Sequence, residues 1–566
     1  MKPYYSNPIL AGFYPDPSIC RVREDYYLIN STFAFFPGIP IFHSKDLVHW
    51  EQIGHVLDRP EQLDLDGLGV SEGVFAPAIR YHQGTYYLTN TIVGGGGNFI
   101  VTAKNPAGPW SNPIWLPEVV GIDPSPFFDD EGKCYIVYNS DPPGNKSLYE
   151  GHRAIWIYEY DLVNRKIIGD KHLLVNGGTN LSKKPIWIEG PHIFKKDDYY
   201  YLIAAEGGTS IDHSQVVFRS KEVIGPYQSY PGNPILTQRH LNPNRWYPVT
   251  CTGHADFVET PNGEWWAVFL GCRPYQDFYC NTGRETFMTP VTWSNGWPLI
   301  NPGLETVLYV YPVPDLKKAE VNSFPLNGNF SLKDDFETKK LAHYWIFLRT
   351  PKKKWYDLKP HMGKLIIQCQ TQQLWQRENP AFIGRRQQHL NCTVSVSLLF
   401  IPKEENETSG IVAFQNESHY YYLGKTLSAS KAVIRLEKAE PFQSQSGFTY
   451  QNDSKNLLRE KSERVKILNE IILKSDLLDK KIYLKIEAKG GLYGFYYALE
   501  QDKWQVVMEE VDGTHLSTAV AGGFVGVIMG MYASSQGKES ANHADYDWFE
   551  YSGNDQTFDQ YKFIQK

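Results

Sequence analysis

Asp25-Tyr26-Tyr27-Leu28 is a short aromatic run that leads into Ile29 from a polar turn. That is the composition of a pleated, half-buried strand. The pattern returns at Gly84-Thr85-Tyr86-Tyr87-Leu88, Gly132-Lys133-Cys134-Tyr135-Ile136-Val137, Asp198-Tyr199-Tyr200-Tyr201-Leu202 and Gly263-Glu264-Trp265-Trp266-Ala267-Val268. The spacing is roughly 50 to 65 residues, the length of a four-stranded propeller blade with its loops. Further strand patterns follow several of these runs, at Ile41-Phe42-His43-Ser44, Phe99-Ile100-Val101-Thr102, Ile155-Trp156-Ile157-Tyr158 and Val216-Val217-Phe218-Arg219. Five echoes predict an all-β, five-bladed β-propeller. A large sandwich also spaces its strands regularly and is the alternative.

Beyond Trp297-Pro298 the pattern changes. Tyr311-Pro312-Val313-Pro314-Asp315 reads as the start of a linker. Strand patterns resume at Ser409 to Phe414, Tyr420 to Leu423, Ile482 to Ile486 and Leu492 to Tyr497. The division expected is a propeller over 1–315, a linker over 316–332 and a β-sandwich over 333–566. A charged stretch from Asn456 to Leu473 fits a short helix or a long loop.

Composition excludes several classes. Net charge is −7, and no basic run interleaves with the aromatics, so nucleic acid is not expected. No apolar run is long enough to span a bilayer. Aromatics are 14 % of the chain, and such faces suit sugar stacking as well as strand packing. The seven cysteines show no Cys-x-x-Cys pair, which excludes a zinc knuckle and fits reduced thiols. The first residues, Met1-Lys2-Pro3-Tyr4-Tyr5-Ser6, lack an apolar leader core. The expected location is cytoplasmic, or periplasmic or secreted if a leader was removed. A homo-oligomer is compatible with all of this.

Three acids stand out against that frame. Asp16 lies in Tyr14-Pro15-Asp16-Pro17-Ser18, where flanking prolines favour extended geometry. Asp123 repeats the element in Asp123-Pro124-Ser125. Glu189 follows the apolar Ile186-Trp187-Ile188, where burial would keep it protonated. Each precedes the aromatic strand of its own blade. On a propeller they would meet at the mouth, and a protonated and an ionised carboxyl flanking one bond are what glycoside hydrolysis needs. Taken singly, each acid is better read as a turn cap or an arginine's partner; the three together, in equivalent repeat positions, favour catalysis. Arg284 could fork to a sugar hydroxyl, hold a carboxylate ionised, or pair with a neighbouring Glu. His254 is a candidate for the axial channel, with a metal or as a satisfied structural histidine.

These motifs resemble glycoside hydrolase family 43, in particular its β-xylosidase-like members with a C-terminal, concanavalin-like β-sandwich. The resemblance runs through Asn7-Pro8-Ile9-Leu10, Ser31-Thr32-Phe33, His43-Ser44-Lys45-Asp46-Leu47, Glu189-Gly190-Pro191-His192, Ala205-Glu206-Gly207-Gly208-Thr209, Gly253-His254-Ala255, Gly283-Arg284-Glu285-Thr286 and Asp545-Tyr546-Asp547-Trp548-Phe549. It implies an inverting mechanism with Asp16 as general base, Glu189 as general acid and Asp123 orienting the acid and tuning its pKa. It implies substrate contacts from Arg284, Phe33, Phe75 and Thr209, and a sandwich loop closing the pocket through Phe524. Many relatives carry Trp at Phe75 and a second Phe at Gly523. Some members hold calcium near the residue matching His254, so no cofactor is required and calcium is an option.

The activity so implied is exo-release of terminal β-D-xylosyl residues from xylo-oligosaccharides, with room for α-L-arabinofuranosidase activity. An α-L-arabinofuranosidase acting on arabinoxylan or arabinan side chains is the second expectation. A carbohydrate-binding protein without catalysis is the third.

Overall fold

A computed structural model describes residues 3–319, 324–440 and 464–560. In the first of these spans five antiparallel sheets surround one axis, each contiguous in sequence. The innermost strands are Ser18–Val22, Ala78–His82, Ile122–Phe128, Glu189–Lys196 and Thr250–Glu259; each begins its sheet, except that in the second the two-residue Gly73–Val74 comes first. The innermost strands touch in the cyclic order of the blades, the fifth against the first. This is a five-bladed propeller, and the large-sandwich alternative falls.

The aromatic runs are the second strands, Asp25–Ile29, Thr85–Val93, Cys134–Ser140, Tyr199–Glu206 and Trp265–Cys272. Both faces of a second strand lie between neighbouring blades, which explains near-continuous apolar sequence rather than strict alternation. Their rings fill the seams. Tyr27 of blade one meets Tyr86 of blade two at 5.2 Å, edge to face. Phe127 of blade three meets Tyr200 of blade four at 5.9 Å. Such contacts add about 0.5–1.5 kcal/mol each beyond the area they bury.

Around the axis, one buried polar girdle touches all five innermost strands. Asp256 of blade five accepts from the Ser18 hydroxyl of blade one at 2.7 Å and from Arg80 of blade two at 2.8 and 3.1 Å. Arg80 reaches His192 of blade four at 3.2 Å, and His192 meets Ser125 of blade three at 2.9 Å. Burial alone would push the Asp256 carboxyl up; Arg80, His192 and the Ser18 hydroxyl outweigh it and hold it down at about 2. Ser18, Ser125 and His192 lie two or three residues beyond Asp16, Asp123 and Glu189, so the girdle fixes the strands that carry the acids.

Residues Tyr4–Ser6 pair with Val310–Pro312, so the chain's start closes on the propeller's end. Among the described residues the second unit holds two eight-stranded sheets packed as a sandwich. Part of the expected linker is already sandwich, since Phe330–Asp334 pairs with His543–Gly553. One sheet ends on a strand from the propeller. Phe35 and Phe36 pair with Leu348 and Phe347. The stretch read as helix or loop lies outside the described residues up to 463; beyond them, Val465–Ile472 is a strand beside Lys431–Ala439. Its β-branched residues and the open sheet edge explain the outcome.

Candidate active site

The three acids meet at one end of the axis because each sits where an innermost strand begins. Asp16 precedes Ser18–Val22 by two residues, Asp123 is second in Ile122–Phe128, and Glu189 is first in its strand. At Asp123 and Glu189 the pairing with the next strand shifts register, a bulge that re-aims a side chain. Asp16 departs from the extended backbone its prolines suggested. Its φ is +51°, and Asp123 has φ +55°. Left-handed backbone at a non-glycine residue stores strain, and tertiary contacts hold it here.

Those contacts are on the side chain. The Ser31 hydroxyl donates to Asp16 Oδ2. Arg284 donates to Asp16 Oδ1 at 3.0 Å, and His254 Nδ1 stands 3.9 Å from the same oxygen. Burial would raise the Asp16 carboxyl, but Arg284, then His254 and Ser31, overcome it and hold it below the usual range. Asp16 is therefore ionised at neutral pH.

Glu189 is the opposite case. It keeps part of its surface exposed and is otherwise enclosed by protein. That enclosure, followed by the charges of Asp123 and Asp16, pushes its carboxyl up to about 8. Asp123 is only 6 % exposed. Burial raises it as well, to about 6, against His254 and a 3.0 Å hydrogen bond donated by Gly190 N–H. Burial and mutual repulsion thus favour a proton in the Glu189–Asp123 group at neutral pH.

Arg284 does not pair with its neighbouring Glu. Glu285 is fully buried and belongs to Arg273, at 2.6 and 2.8 Å. Arg273 also holds Asp555 of the sandwich at 2.9 Å. Arg284 is left to bind Asp16, Thr209 Oγ1 at 2.9 Å and the Phe524 carbonyl at 3.4 Å. Thr209 and Phe524 thus join the cluster the sequence placed them in.

Phe33, Phe75 and Phe524 form an aromatic wall. Phe524 stacks on Phe33 at 5.6 Å and meets Phe75 edge-on at 5.8 Å; Phe33 and Phe75 are 5.1 Å apart. Phe33 is only 2 % exposed and backs the wall, while Phe75 and Phe524 are partly open. The sandwich loop comes this close because Gly526 and Gly283 touch backbone to backbone: a Cβ on Gly526 would lie 2.5 Å from the Thr282 carbonyl. Gly523, at φ +74°, would place a Cβ 2.3 Å from Ser71 Oγ, which explains a glycine where a second Phe was expected.

Calcium takes about six to eight oxygen ligands. His254 supplies an imidazole, and among the described residues no three His, Cys, Asp or Glu side chains converge to hold a metal. His254 stands against Asp16, with Nδ1 3.9 Å from Oδ1. A cleft of about 330 Å³ beside His55, His343 and Trp345 contains none of the site residues.

The sequence reading missed Ser31, Arg153 and Asn139. Ser31 sits inside a motif already noted, beside Phe33. Arg153 and Asn139 lie in no motif; they act on Glu189 and its strand through contacts far apart in sequence.

Comparison with known proteins agrees with this geometry. A family model described as Glycosyl hydrolases family 43 matches residues 5–298, and one described as Beta xylosidase C-terminal Concanavalin A-like domain matches 333–552. A protein of Butyrivibrio fibrisolvens named Xylosidase/arabinosidase is 40 % identical over 96 % of this chain and 98 % of its own. A Bacteroides ovatus protein named Non-reducing end alpha-L-arabinofuranosidase BoGH43B is 37 % identical over 97 % of this chain and 94 % of its own. A crystal structure of xylan beta-1,4-xylosidase from Bacillus halodurans superposes with a TM-score of 0.84 at 32 % identity, covering 97 % of this chain and all of that one.

Proposed function

The chain belongs to glycosyl hydrolase family 43, and from that premise we propose that it is an inverting exo-glycosidase that removes terminal β-D-xylosyl residues from xylo-oligosaccharides and accepts α-L-arabinofuranosides as well. The observation that carries this is the convergence of Asp16, Asp123 and Glu189 from the starts of three innermost strands, with Arg284 3.0 Å from Asp16 to draw its carboxyl down and burial to push that of Glu189 up.

Asp16 takes a proton from a water, whose oxygen attacks the anomeric carbon. Glu189 gives its proton to the leaving oxygen on the opposite face, and the configuration inverts. Asp123 stays beside Glu189 as a negative neighbour that keeps the acid protonated until the leaving oxygen needs it. Arg284 holds Asp16 charged and presents its remaining N–H groups to substrate hydroxyls. Closure by Phe524 favours single terminal sugars over cutting within a polymer. The seven free thiols suit the cytoplasmic location expected from the sequence.

The names of the relatives support both sugars. The 37 % identical arabinofuranosidase favours a second reading, in which arabinofuranosyl side chains are the main substrate. Proton NMR of the first-formed sugar from a β-xyloside should show α-xylose; β-xylose would refute inversion. Rates on p-nitrophenyl β-xyloside and α-L-arabinofuranoside should favour the xyloside, and the reverse order selects the second reading.

A further inference from the structure

Trp187 lies two residues before Glu189, with φ +51°. A bulky aromatic rarely takes that left-handed backbone, and it persists only where its surroundings impose it. Here they do. Trp187 N–H donates to the Gly151 carbonyl at 2.8 Å, and Gly207 N–H donates to the Ile186 carbonyl at 2.9 Å. Asn139 Nδ2 donates to the Ile188 carbonyl, and Arg153 donates to Asn139 Oδ1 at 3.0 and 2.8 Å. The Arg153 guanidinium also lies 5.3 Å from the indole centroid.

The brace reaches the core only at Ile188, which is 1 % exposed. The indole it holds is 37 % exposed, and Ile186 and Leu181 on the same loop are 40 % and 36 % exposed. A strained, braced, outward-facing tryptophan next to a catalytic acid is a surface kept for a ligand. Position says which part of the ligand. Arg284 binds Asp16 and the Phe524 carbonyl, and Phe33, Phe75 and Phe524 pack against one another beside it. The leaving oxygen must touch Glu189, so the group attached to it extends over the residues leading into Glu189. Arg153 faces the acids too, opposing the upward shifts of Glu189 and Asp123.

We propose that the exposed face of Trp187, steadied by Arg153 and Asn139, seats the leaving-group sugar: a second pyranose ring whose flat C–H face stacks on the indole. This rests on the reading of Glu189 as the acid that protonates the leaving oxygen. It makes Trp187 a specificity residue for oligosaccharides over substrates with compact leaving groups.

The test compares xylobiose with methyl β-D-xyloside, whose leaving alcohol needs the same protonation by Glu189 but is too small to reach a second seat. In Trp187→Ala the ratio of kcat/KM on xylobiose to that on the methyl xyloside should fall about 20-fold, chiefly through KM, and Trp187→Phe should recover to within about threefold of the natural enzyme. Equal losses on both substrates would mean that Trp187 only supports Glu189, and would overturn the proposal, as would an unchanged xylobiose rate. A natural enzyme inert to both xylosyl and arabinofuranosyl fluorides would instead overturn the hydrolase reading itself.

Discussion

The propeller and the sandwich are both all-β, yet they are built by different rules. Each blade is a contiguous stretch whose strands pair in sequence order, whereas the sandwich weaves distant segments, one borrowed from residues 35–36. The propeller supplies every acid and the cation that sets their charge. The sandwich supplies closure, through Phe524, and anchorage, through Asp555. Chemistry thus sits on the unit with the most local wiring, and access is set by the unit with the least.

Substitutions on the two sides should therefore fail in different ways. The largest effect belongs to the propeller. Asp16→Ala should lower kcat by about 10⁴-fold on every substrate, measured with xylobiose and aryl xylosides, since no other group takes the water's proton. Glu189→Ala should cost about 10³-fold on xylobiose but far less on aryl xylosides with good leaving groups; equal losses would break the assignment.

Glu189 also fixes the sign of the pH dependence. Its raised carboxyl must be protonated, so kcat/KM should fall as pH rises through about 8. Asp16, held low, must be ionised, so the acid limb reflects loss of negative charge from Asp16 and Asp123 together. In Glu189→Gln, assayed on an activated aryl xyloside, the basic limb should vanish and the acid limb remain.

On the sandwich side, Phe524→Ala should cost about 10- to 100-fold in kcat/KM, mostly in KM, with both pH limbs in place. A shift of the limbs would show that the sandwich tunes charge as well as access. The smallest expected effect is that of a chelator: dialysis against EDTA should leave both rates unchanged, because the roles given to Asp16, Asp123 and Glu189 need no metal; a loss restored by calcium would place an ion beside His254.

How far these features could be read in advance follows the same division. The blades were legible because their second strands are aromatic on both faces and recur within short sequence distances. The acids were legible because each stands at the same place before its blade. Local rules failed where a distant contact decides. Prolines on both sides of Asp16 suggested extended backbone, but Ser31, Arg284 and the girdle below hold it left-handed. Arg284 could not be paired in advance, since Asp16 is 268 residues away and the adjacent Glu285 is taken by Arg273. The charged stretch ending at Leu473 lacks clean alternation, and only the edge of a sheet makes part of it a strand.

The two-residue strand Phe35–Phe36 turns this division into a rule for engineering. It occupies the rim of a sandwich sheet, where Ile346–Leu348 would otherwise present unpaired N–H and C=O groups. Cutting the gene at the linker would yield one fragment missing its outermost rung and another whose Phe33, two residues upstream, has lost the scaffold that aims it. A chimaera that exchanges the second half for a relative's must therefore match two loose ends rather than one, and a mismatch at the hidden one would surface as clumping before it surfaced as lost turnover.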